Sequence, residues 1–373
     1  MTRLLAIASA FVVPENRSVF KSLADDYGFD VTLVSPASWL QSRYGATEVF
    51  RVKPEEKEGY RVIPLRLTTG TCGRYRDLVP EIRRSRPRIV VCAQEFNSFA
   101  TIHSLFLARI IARWPLTMSC SLQNIPYSLN RLRHRVRKCA SFAASDVILA
   151  SCTDAANVLK SRGYRGRIEV TYPLGAAAAD GGHPPKTTTR HSPFTVGFVG
   201  RIAAEKGVFD LVDAWARMES TARLLFVGGG PDRARLESRI AELGLTSRVD
   251  FAGLVPRSEM AAYYREMDAL AIPSLSTPSW KEQFGVVLAE AMLMGVPVVG
   301  SNSGAIPEVI GDAGLIFPEG DVSALVTCLN LLRMNLVKRR DFSMRGLARA
   351  QALYTPKAMA AQLVEIFSNM GAI

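Results

Sequence analysis

Short apolar runs separated by helix-length stretches constrain this chain more than any other feature. In the first half they fall at 4–9, 31–35, 88–93, 116–120 and 146–151, and in the second at 194–199, 223–227, 249–252, 269–273, 298–301 and 315–318. Runs of that length without polar alternation suit strands buried on both faces, the pattern of parallel sheets. Intervening helices are expected at 102–114, 208–219, 231–243, 258–267, 285–294 and 306–310, so the fold class is α/β, with doubly wound sheets. Residues 172–193 break the pattern with Pro173, Gly175, an alanine run, Gly181-Gly182, Pro184-Pro185 and three threonines, and read as a linker. A length of 373 residues suits two domains. The expected boundaries are 1–172, a linker at 173–193, 194–353, and a terminal segment 354–373 containing a helix at 356–369.

Within the second half, residues 281–297 read as a loop, a helix and a strand. Gly285 allows a close turn, 286–294 is nearly all apolar, and Gly295 with Pro297 stops the helix before the next strand. Glu290 is the exception inside that helix. Burying an unpaired carboxylate costs several kcal/mol unless something satisfies it. One account is an internal salt bridge for Glu290 and the upstream Glu282. The other is a ligand site, in which the amides of Phe284, Gly285 and Val286 attract phosphate and Glu290 accepts the hydroxyls of a ribose. The ligand account requires a Glu290 carboxylate that no neighbouring Arg or Lys already matches.

The stretch resembles the acid, seven residues, acid motif of retaining GT-B glycosyltransferases of family 4, with Glu282 and Glu290 as the acids. Four further motifs follow that family's order: Phe198-Val199-Gly200-Arg201 with Glu205-Lys206-Gly207, Phe226-Val227-Gly228-Gly229-Gly230-Pro231, Phe251-Ala252-Gly253, and 304–308. The resemblance covers roughly 194–325 well and the N-terminal half loosely. It implies a GT-B architecture, two Rossmann-like doubly wound domains facing across a cleft, with the last helix crossing back to the first domain. The implied activity is transfer of a sugar from a nucleotide diphosphate sugar to a glycan or lipid-linked acceptor, with retention, in cell-surface polysaccharide or glycolipid synthesis.

Arg201 and Lys206 flank the turn after the first strand of the second domain, where a doubly wound sheet binds ligands. Two cations there can neutralise a diphosphate as its bond to the sugar breaks. By resemblance they bind the donor's phosphates beside Gly200, while Gly253 and Leu254 meet the base. Glu282 takes the donor sugar with Phe284, Gly285 and Val286, and Glu290 the ribose. Gly228-Gly229-Gly230 fails the dinucleotide pattern because position 233 is Arg, and a closely packed turn is the reading. No D-x-D occurs; Glu266-Met267-Asp268 is the nearest match and reads as structural. The expectation is therefore no metal and no cofactor, with the basic pair doing a metal's work.

The first domain departs from the family. The usual glycine-rich loop is replaced by Ala10 to Arg17, including Asn16, and the usual histidine near the end of a middle strand is missing. Gln123 is expected in that role, with Gln94 and Glu95 as further acceptor contacts. Retaining enzymes of this class are proposed to let the departing phosphate deprotonate the acceptor, so a side-chain base is dispensable.

The formal charge of +12 sits in one half: residues 1–190 hold 28 Lys and Arg against 15 Asp and Glu, and 191–373 hold 18 against 19. A helix over 128–144 places Leu129, Leu132, Val136, Ala140 and Ala143 opposite Arg131, Arg135 and Lys138. It suits either an anionic membrane surface or an ordinary core-facing helix. The chain is expected to be cytoplasmic and peripheral on the inner membrane face, since no apolar stretch approaches ~20 residues. Residues 1–13 have features of a signal peptide, but nothing downstream suggests secretion and the run reads as a buried first strand. Six cysteines without C-x-x-C or metal spacing read as reduced thiols. Rival classes are a nucleotide-sugar epimerase, which turns over without an acceptor, a non-catalytic glycan-binding protein, and a nucleic-acid-binding protein. No nucleic-acid motif accompanies the charge.

Overall fold

The computed structural model describes residues 1–43, 46–68, 73–126, 132–171, 193–218 and 221–373. The chain divides into two compact units, Met1–Ala177 with Pro356–Ile373, and Ala178–Thr355. The stretch read as the linker falls almost wholly outside the described residues, as do Leu129 and Arg131.

The first unit opens with β1 (Arg3–Ile7), α1 (Ser18–Asp25), β2 (Asp30–Pro36) and a pair of antiparallel strands, β3 (Ser38–Arg43) and β4 (Ala46–Arg51). Then come β5 (Glu55–Lys57), β6 (Tyr60–Leu65), α2 (Leu78–Ser85), β7 (Ile89–Glu95), α3 (Phe99–Ile111) and β8 (Leu116–Ser121). It closes with α4 (Leu132–Ala144), β9 (Val147–Ala150), α5 (Thr153–Ser161) and β10 (Arg167–Val170). Eight strands form one sheet in the order β10-β9-β8-β7-β1-β2-β6-β5, parallel except for β5 against β6. Residues 4–7, part of the run with signal-peptide features, are its central strand and are buried. The chain winds outward from β1 in both directions, so the sheet's switch point lies between β1 and β7.

The second unit is more regular. It comprises β11 (Thr195–Val199), α6 (Val208–Ala216), β12 (Arg223–Val227), α7 (Arg233–Glu242), β13 (Val249–Gly253), α8 (Met260–Glu266) and β14 (Ala269–Ile272). These are followed by α9 (Val286–Leu293), β15 (Val298–Ser301), α10 (Ile306–Ile310), β16 (Leu315–Phe317), α11 (Val322–Met334) and α12 (Leu336–Leu353). The six strands are parallel in the order β13-β12-β11-β14-β15-β16, with the switch point between β11 and β14. A helix apolar on all sides must be buried on all sides, and α9 meets this through α12, where Gly346 brings its backbone against Met292. Helices α11 and α12 were not expected from the sequence. Val337, Met334 and Met344 of these helices remain exposed, which blurs the apolar stripe that would have marked them.

The last helix, α13 (Pro356–Asn369), belongs to the first unit and packs on α1. Met359, Ala360, Leu363, Ile366 and Phe367 form its buried face, and the Phe367 ring meets Phe29 at 5.8 Å between centroids. On α4 the expected apolar stripe is not turned to a core: Leu132 is 74% and Val136 59% exposed. Phe367→Ala is expected to lower stability by about 3–5 kcal/mol in urea denaturation, the usual cost of emptying a buried phenylalanine site. A change below about 1 kcal/mol would mean that α13 does not stabilise the first unit.

Candidate functional site

The second unit's residues converge at the carboxyl ends of β11 and β14. The loop after β11 turns at Gly207, whose φ of 67° suits glycine and whose missing Cβ would stand 1.8 Å from the Pro273 carbonyl oxygen. That contact seats Lys206 against the loop after β14. Its ammonium lies 2.8 Å from Oε2 of Glu282 and 4.5 Å from the centroid of the Trp280 ring. The Ser274 hydroxyl donates to the same oxygen at 3.0 Å. The Glu282 carbonyl in turn accepts the Ala305 amide, and Gly304 packs so closely that a Cβ would come within 2.2 Å of that carbonyl. Arg201 pairs with Glu205 in the same loop. Both cations expected at the phosphates thus already hold carboxylates, a pairing the sequence did not indicate. Ser274 and Trp280 were missed; Ser274's place just past a strand at the switch point was the signal available for it.

Gly285, at φ 78°, opens α9 in the left-handed region and carries no side-chain cap, and its carbonyl takes the Leu288 amide at 2.8 Å. Phe284 is buried with its ring edge-on to Tyr354 at 5.7 Å, and Val286 starts the helix. Glu290 does not meet the requirement set for the ribose reading. Oε1 accepts from the Arg257 guanidinium at 2.9 Å and Oε2 from the Tyr264 hydroxyl at 2.9 Å. Burial raises its pKa above the ordinary carboxylate range, while Arg257 and the Tyr264 hydroxyl pull it down. The internal salt bridge is thus present, and Glu290's geometry alone does not argue for a nucleotide. Arg257, just after β13, was missed although the sequence places it beside the expected base-binding backbone.

Gly253 ends β13 with φ 73°, and Leu254 follows it half exposed. Gly228 and Gly230 let two loops pack together, because Cβ atoms there would stand 2.0 Å from the carbonyl oxygens of Gly200 and Ile202. Asp268 accepts the Thr195 amide at 3.0 Å and Glu266 lies 3.6 Å from Arg223, so both serve the fold.

In the first unit the corresponding switch point gathers Gln94 and Glu95 at the end of β7. Gln94 accepts the Ser9 amide at 3.3 Å, which ties β7 to the loop after β1, and its buried Nε2 has no partner among the described residues. Glu95 accepts the Leu122 amide at 2.6 Å through Oε1, and its buried Oε2 likewise has none among them. Burial pushes the Glu95 carboxyl up to about 7 against the pull of the Leu122 amide and Arg162. Gln123 accepts from Arg162 at 3.4 Å, while Asn16 is spent on the loop itself, donating to the Ala10 carbonyl at 2.9 Å. His103 lies on α3 with its ring stacked on Phe99.

Residues 193–335 match the family described as Glycosyl transferases group 1. A 2-deoxystreptamine glucosyltransferase of Streptomyces kanamyceticus is 38% identical over 135 residues, 35% of this chain and 34% of that protein. A phosphatidyl-myo-inositol mannosyltransferase of Mycobacterium leprae is 34% identical over 182 residues, 47% of this chain and 46% of that protein. The matched stretches thus span between a third and a half of these relatives' lengths. Among solved structures, sucrose-phosphate synthase from Thermosynechococcus elongatus superposes with a TM-score of 0.69 at 19% identity, covering 99% of both chains. Anabaena Alr3699/HepE in complex with UDP superposes at 0.67 and 18% identity, covering 99% of this chain and 100% of that one. Residues 193–335 are thus similar to the glycosyl transferases group 1 family, within a chain of GT-B fold.

Proposed function

We propose that the protein is a retaining, metal-independent glycosyltransferase that moves a sugar from a nucleoside diphosphate to a glycan or lipid-linked acceptor. The observation that carries this reading is the family match over the stretch that holds Arg201, Lys206, Glu282 and Glu290. In the proposed reaction the donor's diphosphate lies against the first turn of α9 and draws Lys206 from Glu282, which frees Glu282 for the sugar hydroxyls. The bond between the anomeric carbon and the phosphate oxygen breaks, and the negative charge growing on the leaving phosphate is met by Lys206 and Arg201. The acceptor hydroxyl attacks from the same face and its proton passes to the departing phosphate. Glu290 keeps its place beside the ribose by resemblance alone.

The acceptor side of the reading rests on Gln94 and Glu95. An unpartnered buried donor and an unpartnered buried acceptor each cost about 1–3 kcal/mol, and a polyhydroxylated ligand satisfies both. The same reading puts the protein at the cytoplasmic face of a membrane, with the exposed Leu132 and Val136 of α4 as contacts.

A thermal-shift panel of nucleotides and nucleotide sugars tests the donor site, since a ligand at 100 times its Kd adds about 2.7 kcal/mol. A flat response to every member would remove the proposal. Glu290→Ala is expected to abolish the best nucleotide's shift, and an intact shift takes Glu290 out of the site. Lys206→Ala, checked for folding by circular dichroism, is expected to lower kcat by about 100-fold or more, and chelation of divalent metal is expected to leave the wild-type rate unchanged. Turnover of a nucleotide sugar without any acceptor would indicate an epimerase instead.

Glu95 makes a prediction about pH. Its folded pKa of about 7 lies above the usual value of 4.5, so the folded state binds the proton more tightly than the unfolded one. Its ionisation therefore costs nothing below pH ~4.5, costs progressively more as pH rises, and levels off above pH 7 at about 3 kcal/mol. Glu95→Gln is expected to gain stability relative to wild type by that amount between acid and pH 8, read as the difference of two urea titrations. A pH-independent difference would mean that Glu95 ionises normally.

A further inference from the structure

At the other end of the first unit's sheet, beside the amino-terminal ends of β1, β7 and β8, lies a recess of about 980 Å³. Arg3, Arg83, Arg86, Arg88 and Arg113 line it together with Trp114. The acid in its wall, Asp146, is already held by Arg109 at 2.6 Å and by the amide and hydroxyl of Thr117. None of the five lining guanidiniums has a carboxylate partner among the described residues. Five like charges around one concavity repel each other, and a polyanion removes that repulsion.

The backbone adds a second, independent observation. Arg86, Arg113 and Trp114 have φ of 42°, 56° and 64°, three of the four non-glycine residues with positive φ among the described residues. Each such conformation costs an ordinary side chain about 1–2 kcal/mol. Arg86 and Arg113 stand just past the ends of α2 and α3, where glycine is the low-energy choice. The attraction of a cation to a helix carboxyl end accounts for an arginine near each terminus, but not for a tryptophan in the left-handed region. Strain held in three residues of one wall marks a surface kept for contact.

We propose that this recess binds phosphate headgroups at an anionic phospholipid surface. Arginine forks match phosphate oxygens in pairs. Trp114 and Ile110, each 76% exposed, stand beside them, with the Arg109 guanidinium 5.4 Å from the Trp114 ring centroid. An exposed tryptophan ringed by arginines is the composition of a membrane interface rather than of a soluble-anion pocket. The site lies at the opposite end of the strands from Gln94 and Glu95, so it adds a surface to the membrane contact proposed above and does not rest on the sugar-transfer chemistry.

The test is co-sedimentation of the full chain with vesicles of phosphatidylcholine alone or doped with phosphatidylglycerol, with no sugar nucleotide present. Wild type is expected to bind the doped vesicles only. The double variant Arg86→Gly, Arg113→Gly is expected to bind them about thirty-fold more weakly, at roughly five-fold per lost arginine. Its Tm is expected to be equal or higher, because glycine relieves the left-handed strain, so a folding defect cannot imitate the loss. Trp114→Ala is expected to weaken vesicle binding further while leaving any binding of inorganic pyrophosphate unchanged. Equal binding to both vesicle types, or wild-type binding by the double variant, would overturn the proposal. So would arginine-dependent binding of pyrophosphate or random-sequence DNA in the absence of any vesicle binding.

Discussion

Lys206 meets Glu282 across 76 residues of sequence, and the arrangement of the second unit depends on that contact. The pair joins the loop after the first strand to the loop before α9, across the point where the sheet reverses its winding. With side chains only 20% and 10% exposed, neither charge can be left alone without a cost of several kcal/mol. The glycines around it have steric duties, since Gly207 and Gly304 each sit where a Cβ would strike a backbone carbonyl. A lysine held by a carboxylate, under an aromatic ring, is a cation stored in place.

The same logic of paired charge accounts for Glu290. The carboxylate in an apolar helix is tolerated because Arg257 and Tyr264 each bond one of its oxygens. That satisfies the burial cost which made the residue conspicuous, and so removes the simplest argument for a ligand there. The first unit shows the reverse condition. Gln94 and Glu95 keep buried polar atoms unsatisfied at the end of β7, and the raised Glu95 pKa is the electrostatic sign of the same desolvation.

Charge divides the first unit as well. Among the described residues, its sheet has one end where Gln94 and Glu95 keep unsatisfied polar atoms and another lined by five arginines without carboxylate partners, two of them in the left-handed region. A parallel sheet makes this separation easy, because every strand points the same way and the loops at its two ends are free to carry different chemistry.

The sequence by itself determined the class of fold and the position of most strands. Unbroken apolar runs at helix-length spacing have few other ways to be buried, and all six strands of the second sheet were legible within a residue or so. It was less informative where edges and surfaces intervene: β3 to β6 and β10 lie toward or outside the edge of the first sheet, where one-sided burial weakens the pattern. The motifs located the loops around Arg201, Lys206, Glu282 and Glu290, because glycine and charge at strand ends are local properties. Only the tertiary structure decided which charges meet. Lys206 with Glu282 and Arg257 with Glu290 are contacts between residues far apart in sequence, and the recess gathers its five arginines from three segments, at 3, 83–88 and 113; no local pattern encodes distance in space.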